Sequence, residues 1–239
     1  MFENKSLNFV EWLQTGNGIY WISGKPGSGK SILMKFIVSN EQTVEHLYKD
    51  LGSRKLLLAA FFFSNRGTSN QRSLGALLRR ILHRLLSRSP ELLQFIQPDF
   101  EHPEYIKVQL CLSSRLDNVF VDHFTDCPGF CIHDHTSHDI AEYVHGRMKT
   151  YIAKRDDLVS DPQANSTLTS ICNEVVKRAQ GVFLWVQLIM TDLIEGLSDG
   201  DSPAASQKHL SSIPGDGDLQ ELYDSILTRL KPKYQLEVY

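Results

Sequence analysis

Apolar residues follow two rhythms along this chain. Up to about residue 134, short continuous apolar runs alternate with helical spacings, and beyond it the apolar positions keep to a helical period. "LNFVEWL" (7–13) predicts a short amphipathic helix, closed by the turn "TGNG". "GIYWIS" (18–23) is apolar and β-rich, as suits a strand buried on both faces. A glycine-rich turn follows, and "KSILMKFIVSNEQTVEHLYKD" continues from Lys30 as helix. A second strand is expected at "KLLLAAFFF" (55–63), closed by the polar turn "SNRGTSNQ". From Ser73, "SLGALLRRILHRLLSR" sets Leu74, Leu77, Leu78, Ile81, Leu82, Leu85 and Leu86 at helical spacing, with arginines on the other, solvated face. "IKVQLCLSS" (106–114) predicts a third strand and "GFCIHD" (129–134) a fourth, weaker one.

After residue 134 the readings are helices: "SHDIAEYVHGRM", "STLTSICNEVVKRAQGVFLWVQLIMTDLIEGL" and "DLQELYDSILTRL". Between the last two, "SDGDSPAASQKHLSSIPGDGD" reads as a polar loop with one short helical turn. The pattern predicts an α/β domain over 1–136 with a parallel sheet of about four strands, and a helical subdomain over 137–239. With 239 residues, 41% hydrophobic and 22% charged, the chain can bury a sizeable core. A net charge of −3 with no long basic run predicts no nucleic-acid partner. "GVFLWVQLIMTDLI" (181–194) carries Gln187 and Asp192, so it reads as a buried helix and no membrane span is expected. "MFENKSLNFVEWL" has neither the basic nor the apolar part of a signal peptide, so a cytoplasmic protein with Cys111, Cys127, Cys131 and Cys172 reduced is the expectation.

The sharpest chemistry lies in "GKPGSGKS", which fits G-x-x-x-x-G-K-[ST] with Gly24, Gly29, Lys30 and Ser31 in the fixed positions. Glycines at 24, 27 and 29 permit backbone angles that let successive N–H groups turn inward around phosphates, and the helix that follows adds its positive end. The expected phosphate site is therefore Gly24, Lys25, Pro26, Gly27, Ser28, Gly29, Lys30 and Ser31. Lys30 would reach the β and γ phosphates, and the Ser31 hydroxyl would ligate Mg²⁺. The ligands implied are ATP or ADP with Mg²⁺. Asn-Lys-x-Asp, the guanine-reading tetrad, does not occur, which leaves adenine as the default base.

Hydrolysis by such a loop also needs a strand that ends in an acid. "KLLLAAFFF" ends in Ser64 and Asn65, and "KVQLCLSS" ends in Arg115. Asp122 in "NVFVDHF" follows three apolar residues, but it reads better as a surface carboxylate on a short helix.

The stretches "FVEWLQTGNGIYWISGKPGSGKSILMKFI", "CLSSR", "HDHTSHDIAEYV", "EVVKRAQGVFLWVQLIMTDLIEGL" and "LQELYDSILTRL" resemble, in order and over nearly the whole chain, the NACHT-type (nephrocystin-type N-terminal) NTPase domain of fungal STAND proteins, heterokaryon-incompatibility-like signalling ATPases. The resemblance implies a switch that holds ADP at rest and exchanges it for ATP to self-associate, with effector and repeat regions elsewhere in related full-length proteins. It implies Gly24 to Ser31 as the Walker A loop and Arg115 as a sensor arginine facing the γ-phosphate. In the family an acidic Walker B strand precedes "CLSSR"; here "QPDFEHPEYIKVQLCLSSR" joins the arginine-rich helix to it directly, as if shortened near 100–106. The expected strand order is then "GFCIHD", "GIYWIS", "KVQLCLSS" and "KLLLAAFFF" at the edge.

"CPGFCIHDHTSH" gathers Cys127, Cys131, His133, His135 and His138, but C-x₃-C-x-H-x-H fits no common zinc finger, whereas a strand followed by a helix capped at Thr136 or Ser137 accounts for it. The functional readings are a nucleotide-binding STAND switch with impaired hydrolysis, an active ATPase switch that uses an unrecognised acid, and a P-loop small-molecule kinase. "RRILHRLLSR" is too regularly amphipathic to be the kinase's phosphate lid. Whether the chain is an enzyme stays open at this point.

Overall fold

The computed structural model describes residues 1–49, 51, 56–62, 74–96 and 108–213. Its sheet is small, parallel and three-stranded: β1 (Gly18–Ser23), β2 (Gln109–Ser114) and β3 (Gly129–Cys131), in the order β2-β1-β3. β1 lies in the middle, and Tyr20, Trp21, Ile22 and Ser23 are buried in succession, as a strand covered on both faces requires. By contact the chain divides into two units, and the division cuts the three strands: residues 1–21, 31–112 and 126–129 form one, and 22–30, 113–125 and 130–239 the other.

In the first unit, a 3₁₀ turn at Lys5–Leu7 precedes α1 (Phe9–Thr15). The α1 rings seat β1: Phe9 meets Tyr20 edge-on at 5.1 Å, Trp12 lies 5.2 Å from the same ring, and the Tyr20 hydroxyl donates to the Leu7 carbonyl at 2.6 Å. Burial together with the neighbouring Cys111 thiol raises the Tyr20 pKa, and burial pushes Cys111 up to about 12. At the end of α1, Gln109 of β2 donates to the carbonyls of Trp12 and Gly16, and the Trp12 carbonyl also accepts the Gly16 N–H that caps the helix.

The expected helix from Lys30 is two helices, α2 (Lys30–Ser39) and α3 (Glu41–Tyr48). Asn40 interrupts them because its Oδ1 accepts the Gln42 N–H at 2.8 Å, an N-cap bond that competes with continuing the first helix. α4 (Leu74–Arg88) matches its apolar period, and a 3₁₀ segment (Pro90–Ile96) that the sequence reading lacked follows it. The strand expected at 55–63 is corrected: its described part, 56–62, is irregular. An apolar run becomes a strand only where a neighbour accepts its hydrogen bonds, and the sheet described ends at β2, beside which this run was expected.

The second unit is mainly helical. α5 (Asn118–Phe124) carries Asp122 on its exposed side. Past Cys131 the expected "GFCIHD" strand is shorter than read, because Ile132–Asp134 turns as a 3₁₀ segment; residues 131, 133 and 135 therefore do not share a strand face. α6 (Ser137–Ile152), α7 (Asp156–Val159), α8 (Pro162–Arg178), α9 (Phe183–Ser198) and α10 (Pro203–Ser212) follow. Asp161 caps α8 by accepting two amides ahead of Pro162, and Ser202 caps α10 ahead of Pro203. Ile140, Val144 and Met148 of α6 meet Leu168, Ile171 and Val175 of α8 and Trp185, Ile189 and Leu193 of α9 in one core. "STLTSICNEVVKRAQGVFLWVQLIMTDLIEGL" is thus broken into two helices, because Gln180 and Gly181 take left-handed backbone angles of +43° and +77°. The short turn expected in the polar loop is the full helix α10, tied down by Arg178, whose guanidinium donates to the Leu210 and Ile213 carbonyls and lies 5.9 Å over Trp185. "DLQELYDSILTRL" lies outside the described residues.

No helix among the described residues is long and apolar enough to cross a membrane. Leu168 is fully buried at the centre of the helical core, so Leu168→Ala should destabilise the helical unit by about 2–5 kcal/mol. Thermal unfolding followed by circular dichroism checks this as a lower Tm with helical content at 20 °C unchanged.

Candidate phosphate-binding site

β1 ends at Ser23, and the next residues form the loop that the sequence singles out. Gly27 and Gly29 take φ of +72° and +94°, angles open to glycine and costly for other residues. Gly24 is needed for closeness: a Cβ there would meet Ile132 Cγ2 at 2.6 Å and Ser28 Oγ at 3.0 Å. Ser28 is buried, and its hydroxyl has no hydrogen-bond partner among the described residues. A buried polar atom without a partner costs stability, and within a loop of this shape a phosphate oxygen is a fitting partner. Lys30 Nζ donates to the Gly24 and Lys25 carbonyls at 2.7 and 2.6 Å, which holds the ammonium on the loop. Ser31 follows in the first turn of α2.

The ends of the flanking strands reach the same place. Beyond β2, the charge of Arg115 acts on Lys30: burial is the larger cause of its lowered pKa, Arg115 adds to it, and the Cys131 thiol opposes. The sequence predicted Lys30 and Arg115 as separate features, and the structure brings them into one electrostatic neighbourhood. Beyond β3, Cys131 Sγ lies 3.1 Å from His133 Nδ1, and burial raises the thiol pKa while a hydrogen bond with Ser23 lowers it. His133 Nδ1 accepts the Lys25 backbone N–H at 3.3 Å. That bond assigns the ring proton to Nε2, 3.8 Å from Asp134 Oδ1. Burial lowers the His133 pKa, Lys25 and Lys30 lower it further, and Asp134 opposes them.

The thiol and histidine cluster can be judged by the same geometry. Cys131, His133 and Asp134 come close enough to share an ion. Yet Sγ is 3.1 and 3.6 Å from the two ring nitrogens, so it packs against the ring and lies on the lone-pair axis of neither. One nitrogen, moreover, already serves the Lys25 amide. Thr136, read as an N-cap, stands at that position of α6, but its hydroxyl donates to the His133 and Gly181 carbonyls and makes no cap bond.

Contacts from the helical segment to the loop were missing from the sequence reading altogether. The turn between α8 and α9 meets it twice: Lys25 Nζ donates to Gln180 Oε1 at 3.1 Å and to its carbonyl at 3.4 Å, and the Leu184 N–H donates to the Gly27 carbonyl at 3.0 Å. A cavity of about 560 Å³ opens beside these residues, lined by Lys25, His133, Asp134, Ser137, Lys177 and Gln180 among others. A glycine between two helices was the only signal of this turn, and it carries no partner information.

The arrangement is that of a mixed α/β protein with a glycine-rich loop between its central strand and a helix. A family profile described as nephrocystin 3, N-terminal, matches residues 3–128, just over half of the chain, and the chain belongs to that family, a NACHT-like region. No curated protein and no solved structure matches it significantly.

His133 yields a pH test. Its folded pKa lies below the ordinary 6.5, so its neutral form is the one the fold prefers, and that stability is present above pH 6.5 and lost as the pH falls below it. Wild-type Tm should therefore decline on acidification below 6.5 more steeply than that of His133→Gln, as measured by thermal unfolding at a series of pH values.

Proposed function

We propose that this chain is the nucleotide-binding part of a NACHT/STAND-type switch, that it holds ATP or ADP on the loop Gly24–Ser31, and that its hydrolysis is impaired. The observation that carries the reading is the loop itself: left-handed Gly27 and Gly29 in series, the orphan hydroxyl of Ser28 and the Lys30 ammonium on the loop carbonyls. Together they make a concave set of donors at the start of α2, which suits a multiply charged phosphate. Ser31 would offer its hydroxyl to Mg²⁺, and Mg²⁺ would offset the charge of the phosphates. Arg115, close enough to act on Lys30, would take the sensor role by donating to a terminal phosphate oxygen.

The hydrolytic half rests on what the strands deliver. Among the described residues they end in Ser23, Ser114 and Cys131, and none ends in a carboxylate to hold a Mg²⁺ water shell or to orient the attacking water. Donors that grip phosphates without an acid give binding and little turnover. In the cell such a module would work in the cytoplasm, reading out nucleotide state by self-association or by contact with effector and repeat regions of related proteins.

Lys30→Ala tests both halves. Wild-type protein should bind ADP with micromolar to millimolar affinity by titration calorimetry, and the variant should show no measurable binding. ATP turnover of the wild type should stay near background; steady-state hydrolysis that disappears in Lys30→Ala would instead establish an active ATPase that uses another acid.

A further inference from the structure

We propose that Gln180 is a positioning residue for the phosphate loop, and that through it and Leu184 the α8–α9 turn reads whether nucleotide is bound. The inference rests on the phosphate-binding reading and adds to it a route into the helical segment. Five hydrogen bonds carry it. Lys25 is held on both sides, its backbone N–H on His133 Nδ1 at 3.3 Å and its ammonium on Gln180 Oε1 at 3.1 Å. The opposite arm of the loop is held by the Leu184 N–H on the Gly27 carbonyl at 3.0 Å. Thr136 closes the circuit by donating to the carbonyls of both His133 and Gly181.

The turn cannot drift from this position at low cost. A Cβ on Gly181 would lie 2.2 Å from the His133 carbonyl oxygen, so the two backbones touch. Gln180 is one of two non-glycine residues with positive φ among those described, at +43°. Such a backbone angle is unfavourable for a side chain with a Cβ, and at this site a glycine would be the locally easier residue. The side chain kept there is the one that reaches Lys25. A phosphate drawn into the loop orders the amides from Gly24 to Lys30, and their partners at Gln180 and Leu184 share in that ordering. By linkage the turn raises affinity as much as the nucleotide steadies the turn.

Two variants separate this role from a merely structural one. Gln180→Gly removes the amide but suits the left-handed backbone, so its Tm should be equal to or above that of the wild type. Gln180→Glu keeps an acceptor for Lys25. ADP should slow hydrogen exchange of the Leu184 amide in the wild type and in Gln180→Glu, and less so in Gln180→Gly, which should bind ADP roughly threefold to tenfold more weakly. The proposal is overturned if ADP binds the wild type without altering Leu184 exchange, or if Gln180→Gly matches the wild type in both affinity and protection. Should the wild type bind no ADP at all, the phosphate reading itself fails, and the coupling with it.

Discussion

The site depends on the complete burial of β1 at its C-terminal end. Tyr20 to Ser23 are out of water, so every backbone donor and acceptor there needs a protein partner on one side or the other. β2 and β3 supply them, and in a parallel sheet both neighbours run toward the same end. That geometry is why residues distant in sequence converge. The chain leaving β1 makes the loop, the chain leaving β2 brings Arg115, and the chain leaving β3 brings Cys131 and His133. An α/β sheet of this kind collects its chemistry at the carboxyl ends of its strands, here around Lys30.

The charges collected there are mostly of one sign. Lys25, Lys30 and Arg115 act on one another or on His133, and each unfavourable pairing shows as a lowered pKa at Lys30 or His133. Like charges brought together in partial burial cost stability, and the cost is offset when an anion joins them. Asp134 opposes the shift at His133 and lies 65% exposed, too well solvated to neutralise the group. Strain of this kind supports the polyanionic ligand proposed above.

How much of this was legible from residues alone follows their physics. The loop was readable because its requirements are local: glycine at 27 and 29 answers to backbone angles, and lysine and serine follow at fixed distance. β1, β2 and β3 and their order were likewise within reach, and so were α4, α6 and α9, whose apolar spacing is regular. Failures arose wherever a partner decided the outcome. "KLLLAAFFF" has strand composition, but its described part is irregular. The break at Gln180 and Gly181 lies against the His133 backbone, some fifty residues away in sequence, and nothing local to Arg178 announces its bond to the Leu210 carbonyl of α10. The hydroxyl of Thr136 likewise turned to the nearby His133 carbonyl and the distant Gly181 carbonyl instead of its expected cap.

Stiffness decides whether a small change at the loop can matter further off. A single hydrogen bond such as that from Leu184 to Gly27 contributes about 1 kcal/mol, which loose surroundings would dissipate by local rearrangement. Leu184 is followed at once by Trp185 and Val186, both fully buried, and Ile189, Met190 and Leu193 continue the same packed seam along α9. Close-packed side chains have few alternative arrangements, so a helix held this way shifts as a unit or not at all. Arg178 adds to that rigidity by fastening the other side of the turn to α10. The hydrogen bond at the loop is weak, but the body it pulls on is rigid, so a displacement of the loop would be passed to helices that do not touch it.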